Sequence, residues 1–421
     1  MRLGIVGGKL QGTEAVYLAG KAGYEVVLVD RRCASAASGL ADEVHNLDVL
    51  ADQERALEVL GSCDAVLPAC EEDETLEWLC GRVPTTETPV LFDLDSYRVT
   101  SSKLRSNELF DRLGVPRPQP WPACGFPVIV KPSGSSGSEG VQLVDDEGGL
   151  DEARGRLEAA GHQVVVEEYA PGPSISLEVI GGGEDGRQTV AAFQPTLLEF
   201  DRFYDCKRVV APIDEVRAGD PAGLERITAA FDEIGRAIAT GLGLRGIMDI
   251  EVMLHGDELK VLEVDARLPS QTPTAVFHSC GVNLVEMLAE TFVRGRTPSF
   301  DRSPRKACSY QHVRAAEGTV EVLGEHMMGE ARPLRLVDGF HGADEALVER
   351  ATGGAATAGR GVPSGARPEA LPSEWVATLI ACGGTCAEAR AKAAAAVADI
   401  AAAHGLAVRP EESAQPGDDC R

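Results

Sequence analysis

Glu251, Glu263 and Asp265 have the type and spacing of a cation-holding set. The segments Met248-Asp249-Ile250-Glu251-Val252 and Val261-Leu262-Glu263-Val264-Asp265-Ala266-Arg267 each place apolar and charged side chains at period two. That alternation predicts two adjacent strands, with His255-Gly256-Asp257 as the turn of a hairpin. One face then carries Glu251, Glu263 and Asp265. Three carboxylates on a partly buried face repel one another unless a cation lies among them. Hard oxygen donors suit Mg2+, which takes one or two carboxylates and completes its shell with water and phosphate. Arg267 continues along the same face, where it can meet an anion. Taken alone, the pattern also fits the solvated outer face of an ordinary hairpin.

A second set lies upstream. The strand Pro127-Val128-Ile129-Val130-Lys131-Pro132 runs into Ser133-Gly134-Ser135-Ser136-Gly137-Ser138-Glu139-Gly140. A loop of such small residues lets backbone amides come close to phosphate oxygens. Lys131 has apolar neighbours, and a buried ammonium needs an anionic partner. No Gly-Lys-Ser/Thr closes the loop, so it is not a Walker A motif, and a flexible surface hairpin is the alternative. Downstream, Glu167-Glu168-Tyr169-Ala170 ends a strand just before Pro171-Gly172-Pro173. A strand-to-linker transition of this kind can form an adenine slot; a plain domain connection is the alternative. Lys103 opens a helix expected over 102–113.

Residues 1–100 alternate strands (2–6, 25–30, 65–68, 89–93) with a helix at 12–22, which predicts a small doubly wound unit. Its first turn, Gly7-Gly8-Lys9-Leu10-Gln11-Gly12 followed by Asp30, imitates a dinucleotide fingerprint. Lys9 stands where a second glycine should let backbone approach a pyrophosphate, so a substrate-binding loop is the better reading. Glu71, with Glu72 and Asp73, follows another strand's carboxyl end, where open sheets bind ligands. Four prolines between 116 and 122 mark a stiff connector. Short strands and an Ala-rich helix at 387–403 are expected near the end, with a mobile loop at 351–370 and a disordered tail at 409–421.

Composition bounds the partners. With 40 basic and 66 acidic side chains the net charge is −26, which argues against nucleic acid, since phosphate contacts need a basic footprint. Eleven scattered cysteines, an odd count, read as reduced thiols. No apolar run is long enough to span a bilayer. The expectation is a cytoplasmic enzyme with small-molecule substrates and no membrane or nucleic-acid partner.

In chain order, Lys103, Lys131, the Gly/Ser loop, Glu167-Glu168-Tyr169 and Glu251…Glu263-x-Asp265-x-Arg267 resemble the ATP-grasp superfamily of carboxylate–amine ligases. The resemblance implies an α/β (α+β) fold: an ATP-grasp body behind an N-terminal Rossmann-like domain. The divisions expected are 1–100 (Rossmann-like), 101–170 (small lid), 171–300 (catalytic part), 301–408 (C-terminal extension) and the tail. It implies ATP and Mg2+ as cofactors, with Lys103 and Lys131 on the phosphates and Ser135, Ser136 and Gly137 covering them. Glu167, Glu168, Tyr169 and Ala170 would line the adenine slot, and Glu251, Glu263 and Asp265 would hold metal. Lys131 and Arg267 would be catalytic, Arg267 on an acyl phosphate. Pro173 and Ser174 stand where many such enzymes carry a ribose-binding carboxylate, so no residue is assigned to the ribose.

Longer stretches carry a closer resemblance. They include Val6-Gly7-Gly8-Lys9-Leu10-Gln11-Gly12, Ser176-Leu177-Glu178-Val179, Tyr204-Asp205-Cys206, Asp265-Ala266-Arg267-Leu268-Pro269-Ser270-Gln271-Thr272 and Gly324-Glu325-His326. These are similar to the 3-methylornithine–lysine ligase family of pyrrolysine biosynthesis, over nearly the whole chain except 351–370 and the end past 408. The family implies (3R)-3-methyl-D-ornithine as the acid and the side-chain amine of L-lysine as the nucleophile. Substrate contacts would come from Lys9, Leu10, Gln11, Glu71, Ser176, Glu178, Tyr204, Asp205, Asp265, Arg267 and Ser270. Asp265, where many ATP-grasp enzymes have a neutral asparagine, could hold an ammonium together with Ser176 and Glu178. Alternatives are an ATP-grasp ligase for another amino-acid pair, an NAD-linked dehydrogenase, and a nucleotide-binding regulator without turnover. A homo-oligomer is left open.

Overall fold

The computed structural model describes residues 1–135, 137, 139–182, 189–201, 204–217, 220–295, 299–350 and 373–411. Strands β1 (Arg2–Val6), β2 (Glu25–Asp30), β3 (Glu43–Asn46) and β4 (Ala65–Pro68) form a parallel sheet in the order β3-β2-β1-β4. Helices α1 (Leu10–Lys21), α2 (Gln53–Gly61), α3 (Asp73–Arg82) and α4 (Leu94–Thr100) connect and flank it. The strand expected at 89–93 is reduced to one bridge between Val66 and Val90. Pro89 has no N–H to give a ladder, and Asp93 ends the extended run by capping α4 through Ser96 N–H.

Helix α5 (Lys103–Leu113) leads to a small antiparallel sheet of β5 (Val128–Pro132), β6 (Gln142–Val144) and β7 (Val164–Glu168), ordered β6-β5-β7. Helix α6 (Glu147–Ala159) closes it by burying Leu150, Ala153 and Leu157 against Val128, Val130 and Val144. This sheet carries the Gly/Ser loop between β5 and β6.

The main sheet has twelve strands: β8 (Ser174–Gly182), β9 (Thr189–Ala192), β10 (Thr196–Phe200), β11 (Cys206–Ala211), β12 (Gly246–His255), β13 (Glu258–Asp265), β14 (Ala307–Ala316), β15 (Thr319–Leu323), β16 (Leu334–Asp338), β17 (Glu345–Glu349), β18 (Trp375–Gly383) and β19 (Ala407–Val408). Its path is β13-β12-β8-β10-β11-β14-β18-β17-β16. The segment after residue 300 thus extends the same sheet, since β14 pairs with β11 from Arg208–Gln311 to Ala211–Cys308. Helices α7 (Pro221–Leu242), α8 (Thr272–Cys280), α9 (Leu284–Arg294), α10 (His326–Gly329) and α11 (Cys386–His404) complete the fold. Of the tail expected to be disordered from 409, Arg409 pairs with Glu321 and Glu411 with Lys207; 412–421 and the 351–370 loop lie outside the described residues.

Helix α7 explains why one face of this sheet is free for chemistry. Asp220 caps its start on Gly223 N–H, Pro221 sits in the first turn, and Gly243 ends it at φ +67°. Ile227, Phe231, Ile234 and Ile238 recur at helical spacing and are buried with Leu177, Val179, Ile250 and Val252. Gly235 lets the helix seat closely, because a Cβ there would lie 3.0 Å from Val179. Each buried aliphatic side chain contributes roughly 1.5–3 kcal/mol. The strands' alternate residues therefore face the other way, into a cavity.

Candidate active site

Strands β12 and β13 form the expected hairpin, with Glu251 opposite Glu263 and Asp249 opposite Asp265. The register shifts after Glu251, where Leu262 is the extra residue of β13. Such a bulge re-aims side chains, and here Leu262 and Glu263 both line the cavity. Beside the hairpin, β8 sets Ser176 opposite Glu251 and Glu178 opposite Asp249.

Three cations face these carboxylates. Lys103 Nζ is 2.7 Å from Glu263 and donates to the Ser135 carbonyl. Lys131 Nζ pairs with Glu167 at 2.5 Å and reaches the Leu262 carbonyl at 3.3 Å. Arg267 lies 3.0 Å from Asp265 and 2.8 Å from Glu71, which itself accepts from Gln11 at 2.6 Å. The N-terminal sheet thus reaches the site through Gln11 and Glu71.

Burial dominates the electrostatics. It pushes Glu251 up to about 8, with Glu263 and Asp265 adding repulsion. Burial also raises Asp265 and Asp249, only partly offset by Arg267. Burial acts the same way on Glu263, but Lys103, Lys131 and Arg267 together outweigh it and its pKa is lowered. Arg267 and Lys103 go up despite burial, because carboxylates surround them. Glu178 is wholly buried, neither oxygen has an aligned partner, and desolvation pushes it up to about 7. A face this rich in unneutralised carboxylate is built for added positive charge.

The cavity measures about 860 Å³, within the range of small-ligand sites. It brings together Lys103, Lys131, Ser135, Gly137, Glu167, Glu168, Tyr169, Ala170, Ser176, Tyr204, Asp205, Glu251, Glu263, Asp265, Arg267 and Ser270. Glu168 is engaged by Lys260 at 2.7 Å. At one end Glu411 approaches Lys207 at 3.2 Å and Arg208 at 2.5 Å. Lys9, Leu10, Gln11, Glu71 and Glu178 are not on the cavity wall, and Glu71 reaches it only through Arg267. Lys9 points to Glu330, Leu10 packs on the core, and Glu178 is wholly buried on β8, opposite Asp249 of β12. Ser136 lies outside the described residues.

Sequence reasoning passed over Asp249, Gln271, Glu325, His326 and Glu411. Asp249 was within reach, because it alternates with Glu251. Glu325 accepts from Ser270 and Gln271, both at 2.6 Å, and lies 55 and 54 residues away from them. Only folding makes that neighbourhood visible.

Two observations test the fit of Mg2+ to this face. Among the described residues no three His, Cys, Asp or Glu side chains form a group able to hold a metal unaided. Glu251 and Glu263 still offer the two hard carboxylates that Mg2+ takes when phosphate supplies the remaining oxygens, and Asp249 Oδ1 is buried without a partner. The residues fit a metal that arrives with a phosphate ligand.

Known proteins resemble the chain at three levels. The family described as D-ala D-ala ligase C-terminus matches residues 119–284. The 3-methyl-D-ornithine–L-lysine ligase of Methanosarcina acetivorans is 39% identical over 325 residues, covering 77% of this chain and 83% of that one. The Methanosarcina barkeri ligase of the same name is 38% identical with the same coverage. Among solved structures, a biotin carboxylase–β,γ-ATP complex from Campylobacter jejuni has TM-score 0.69 at 15% identity, over 94% of this chain and 91% of that one. A biotin carboxylase domain from Hydrogenobacter thermophilus in complex with MgADP has TM-score 0.65 at 15% identity, over 91% and 86%. These neighbours share the ATP-grasp fold.

Proposed function

The chain belongs to the 3-methyl-D-ornithine–L-lysine ligase family, and from that premise we propose how its cavity joins an acid to an amine at the expense of ATP. The protein is an ATP-dependent amino-acid ligase. Its acid is 3-methyl-D-ornithine and its amine is the side chain of L-lysine. The product is N6-(3-methyl-D-ornithyl)-L-lysine, a step of pyrrolysine biosynthesis. Its charge and thiols suit the cytoplasm.

Lys103 is held by Glu263 and Lys131 by Glu167 on the cavity wall. They turn to the nucleotide's phosphates when these arrive, while the backbone of Ser135 and Gly137 closes over them. Mg2+, when held by Glu251 and Glu263, supplies positive charge to the phosphate oxygens. The segment Glu167–Ala170 offers its backbone to the adenine. Arg267 presents a planar fork to the acid's carboxylate. One carboxylate oxygen attacks the γ-phosphorus, ADP leaves, and Arg267 and Lys131 stabilise the acyl phosphate. The amine nitrogen then bonds to the acyl carbon, the C–O bond to phosphate breaks, and phosphate departs. A covered cavity matters because water would otherwise hydrolyse the acyl phosphate.

Basic substrates fit the acidic walls. Asp265 and Ser176, both on the cavity wall, can hold an ammonium of the ornithine-type acid, while Arg267 takes its carboxylate. The observation that carries the function is the facing of Glu251, Glu263 and Asp265 by Lys103, Lys131 and Arg267 around one cavity. The test supplies ATP-Mg2+ with single amino acids and pairs. ADP release and amide mass should require an ornithine-type D-acid together with L-lysine. Equal turnover with D-alanine alone would favour a D-alanine ligase-like enzyme, and hydride transfer to NAD a dehydrogenase.

A further inference from the structure

The amine substrate poses a problem that the residues used so far leave open. A lysine ε-amine is an ammonium near neutral pH and cannot attack until it loses a proton. Lys103, Lys131 and Arg267 are cations. The buried carboxylates Glu251, Glu263 and Asp265 face the phosphates and their counter-charge. A proton acceptor must stand elsewhere at the cavity.

The turn after β15 supplies one. Glu325 and His326 begin α10, and Glu325 lines the cavity while accepting from Ser270 and Gln271. His326 Nδ1 lies 2.7 Å from Oδ1 of Asp205, a cavity residue, and its backbone N–H donates to Oδ2 at 3.2 Å. Gly324 makes this seat, because a Cβ there would fall on the Asp205 carboxylate, 2.0 Å from Oδ2. The other ring nitrogen, Nε2, is turned to the phosphate loop: a Cβ on Gly137 would sit 2.8 Å from it. The imidazole thus bridges two residues of the cavity wall, Asp205 and Gly137, with Nδ1 on the carboxylate and Nε2 against the loop. Its side chain is 58% exposed, so a proton taken up can pass to water.

We propose that His326, oriented by Asp205, is the general base that takes the proton from the side-chain ammonium of the amine substrate. The inference rests on the ligase reading above. Neutral Nε2 accepts one proton from R–NH3+. The freed lone pair bonds to the acyl carbon, the acyl C–O bond breaks, and the second amine proton leaves with the phosphate as HPO4 2−. The imidazolium then releases its proton to solvent, so one H+ is produced per amide. Asp205 is a positioning residue: it fixes which nitrogen faces the cavity and favours the imidazolium that forms. The groups acting on the ring are Asp205 foremost, then Glu325 and Asp201, and all three raise its pKa above 6.5. Gly137, on the loop packed against it, brings no charge.

Hydroxylamine separates this role from others, because it is largely uncharged at pH 7 and attacks an acyl phosphate without needing a base. The full chain is given ATP-Mg2+, an ornithine-type D-acid, and either L-lysine or hydroxylamine. Hydroxamate formation by the wild type checks the ligase reading itself. In His326→Gln the amide rate with L-lysine should fall by about 10²–10⁴-fold, the usual worth of a general base, while hydroxamate formation stays within about threefold. The fall should lie in kcat/KM for lysine, and raising the pH toward the amine's own pKa should restore it. In Asp205→Asn the ascending limb of the lysine pH profile should move to lower pH. Equal loss of both products in His326→Gln would make the residue a support of the loop or the acid site and overturn the proposal. An unchanged lysine rate would overturn it as well.

Discussion

On the β12–β13 hairpin the charged side chains share the cavity wall, and Asp249, Glu263, Asp265 and Arg267 all sit against neighbouring charge. On the turn from Gly324 to Gly329 the opposite holds: His326 is 58% exposed and is tied to the body mainly through Asp205. Both border one cavity. The hairpin is backed by α7 and a continuous apolar layer, so it can keep like charges together at a cost the sheet absorbs. The turn follows β15, which lies outside the main strand path between β14 and the two-residue β19. The difference separates two tasks. Phosphoryl transfer needs rigid, preorganised charge, whereas proton removal from a substrate that comes and goes needs contact with water.

The comparison breaks most sharply at Glu263. Glu263→Gln should lower turnover by at least ~10³-fold, since it removes a carboxylate proposed to hold Mg2+ and leaves Lys103 without its partner. Circular dichroism and melting temperature should stay near wild type. Product formed at the wild-type rate would strip the hairpin of its assigned role.

Next in size is Arg267→Lys, which keeps the charge and loses the fork. A fall of about 10²-fold in kcat is expected from steady-state ADP release, by analogy with loss of one preorganised donor. A near-normal rate would remove Arg267 from the chemistry.

A smaller effect sharpens the role of the attached segments. Glu411 occupies Lys207 and Arg208, and these cations hold its pKa low against the push of burial. Glu411→Gln should loosen its hold on them and lower KM for ATP by about two- to fivefold, since a partly exposed pair is worth about 1 kcal/mol or less. A raised KM would mean that Glu411 helps nucleotide binding.

A separate effect, on stability, comes from Glu14, buried on α1. Desolvation pushes Glu14 from 4.5 up to about 7, although Thr274 N–H donates to it at 2.6 Å. The folded chain therefore holds this proton more tightly than the unfolded one. The stabilising contribution is complete below about 4.5 and is lost as pH rises through about 7. Glu14→Gln should raise stability by ~1–3 kcal/mol at pH 8.5 and change it little at pH 4. Urea midpoints at both values decide it; equal shifts would show that Glu14 keeps its charge in the fold.

How much of this was legible follows from where information sits in a chain. The hairpin was readable because period-two alternation and the polar turn at His255-Gly256-Asp257 lie within eighteen residues. The Gly/Ser loop and Lys131 were readable for the same local reason. The strand expected at 89–93 failed because Asp93 capped a helix where the apolar run suggested extension. Leu262 as a bulge left no period-two mark, since an inserted residue only shifts phase. His326 and Glu411 could not be found locally: their partners Asp205 and Lys207 are 121 and 204 residues away, and the sheet order β11-β14-β15 is what joins them. The first-turn residue Lys9 was readable as a departure from a dinucleotide fingerprint, yet its side chain turns away to Glu330.

The most direct test of the central claim follows oxygen. The ornithine-type acid is prepared with 18O in its carboxylate and turned over with ATP-Mg2+ and L-lysine, and the released phosphate is examined by 31P NMR or mass spectrometry. Activation of the carboxylate on the hairpin face predicts one 18O in each phosphate and an amide that keeps the other. Unlabelled phosphate would mean that no acyl phosphate forms, and would contradict the account.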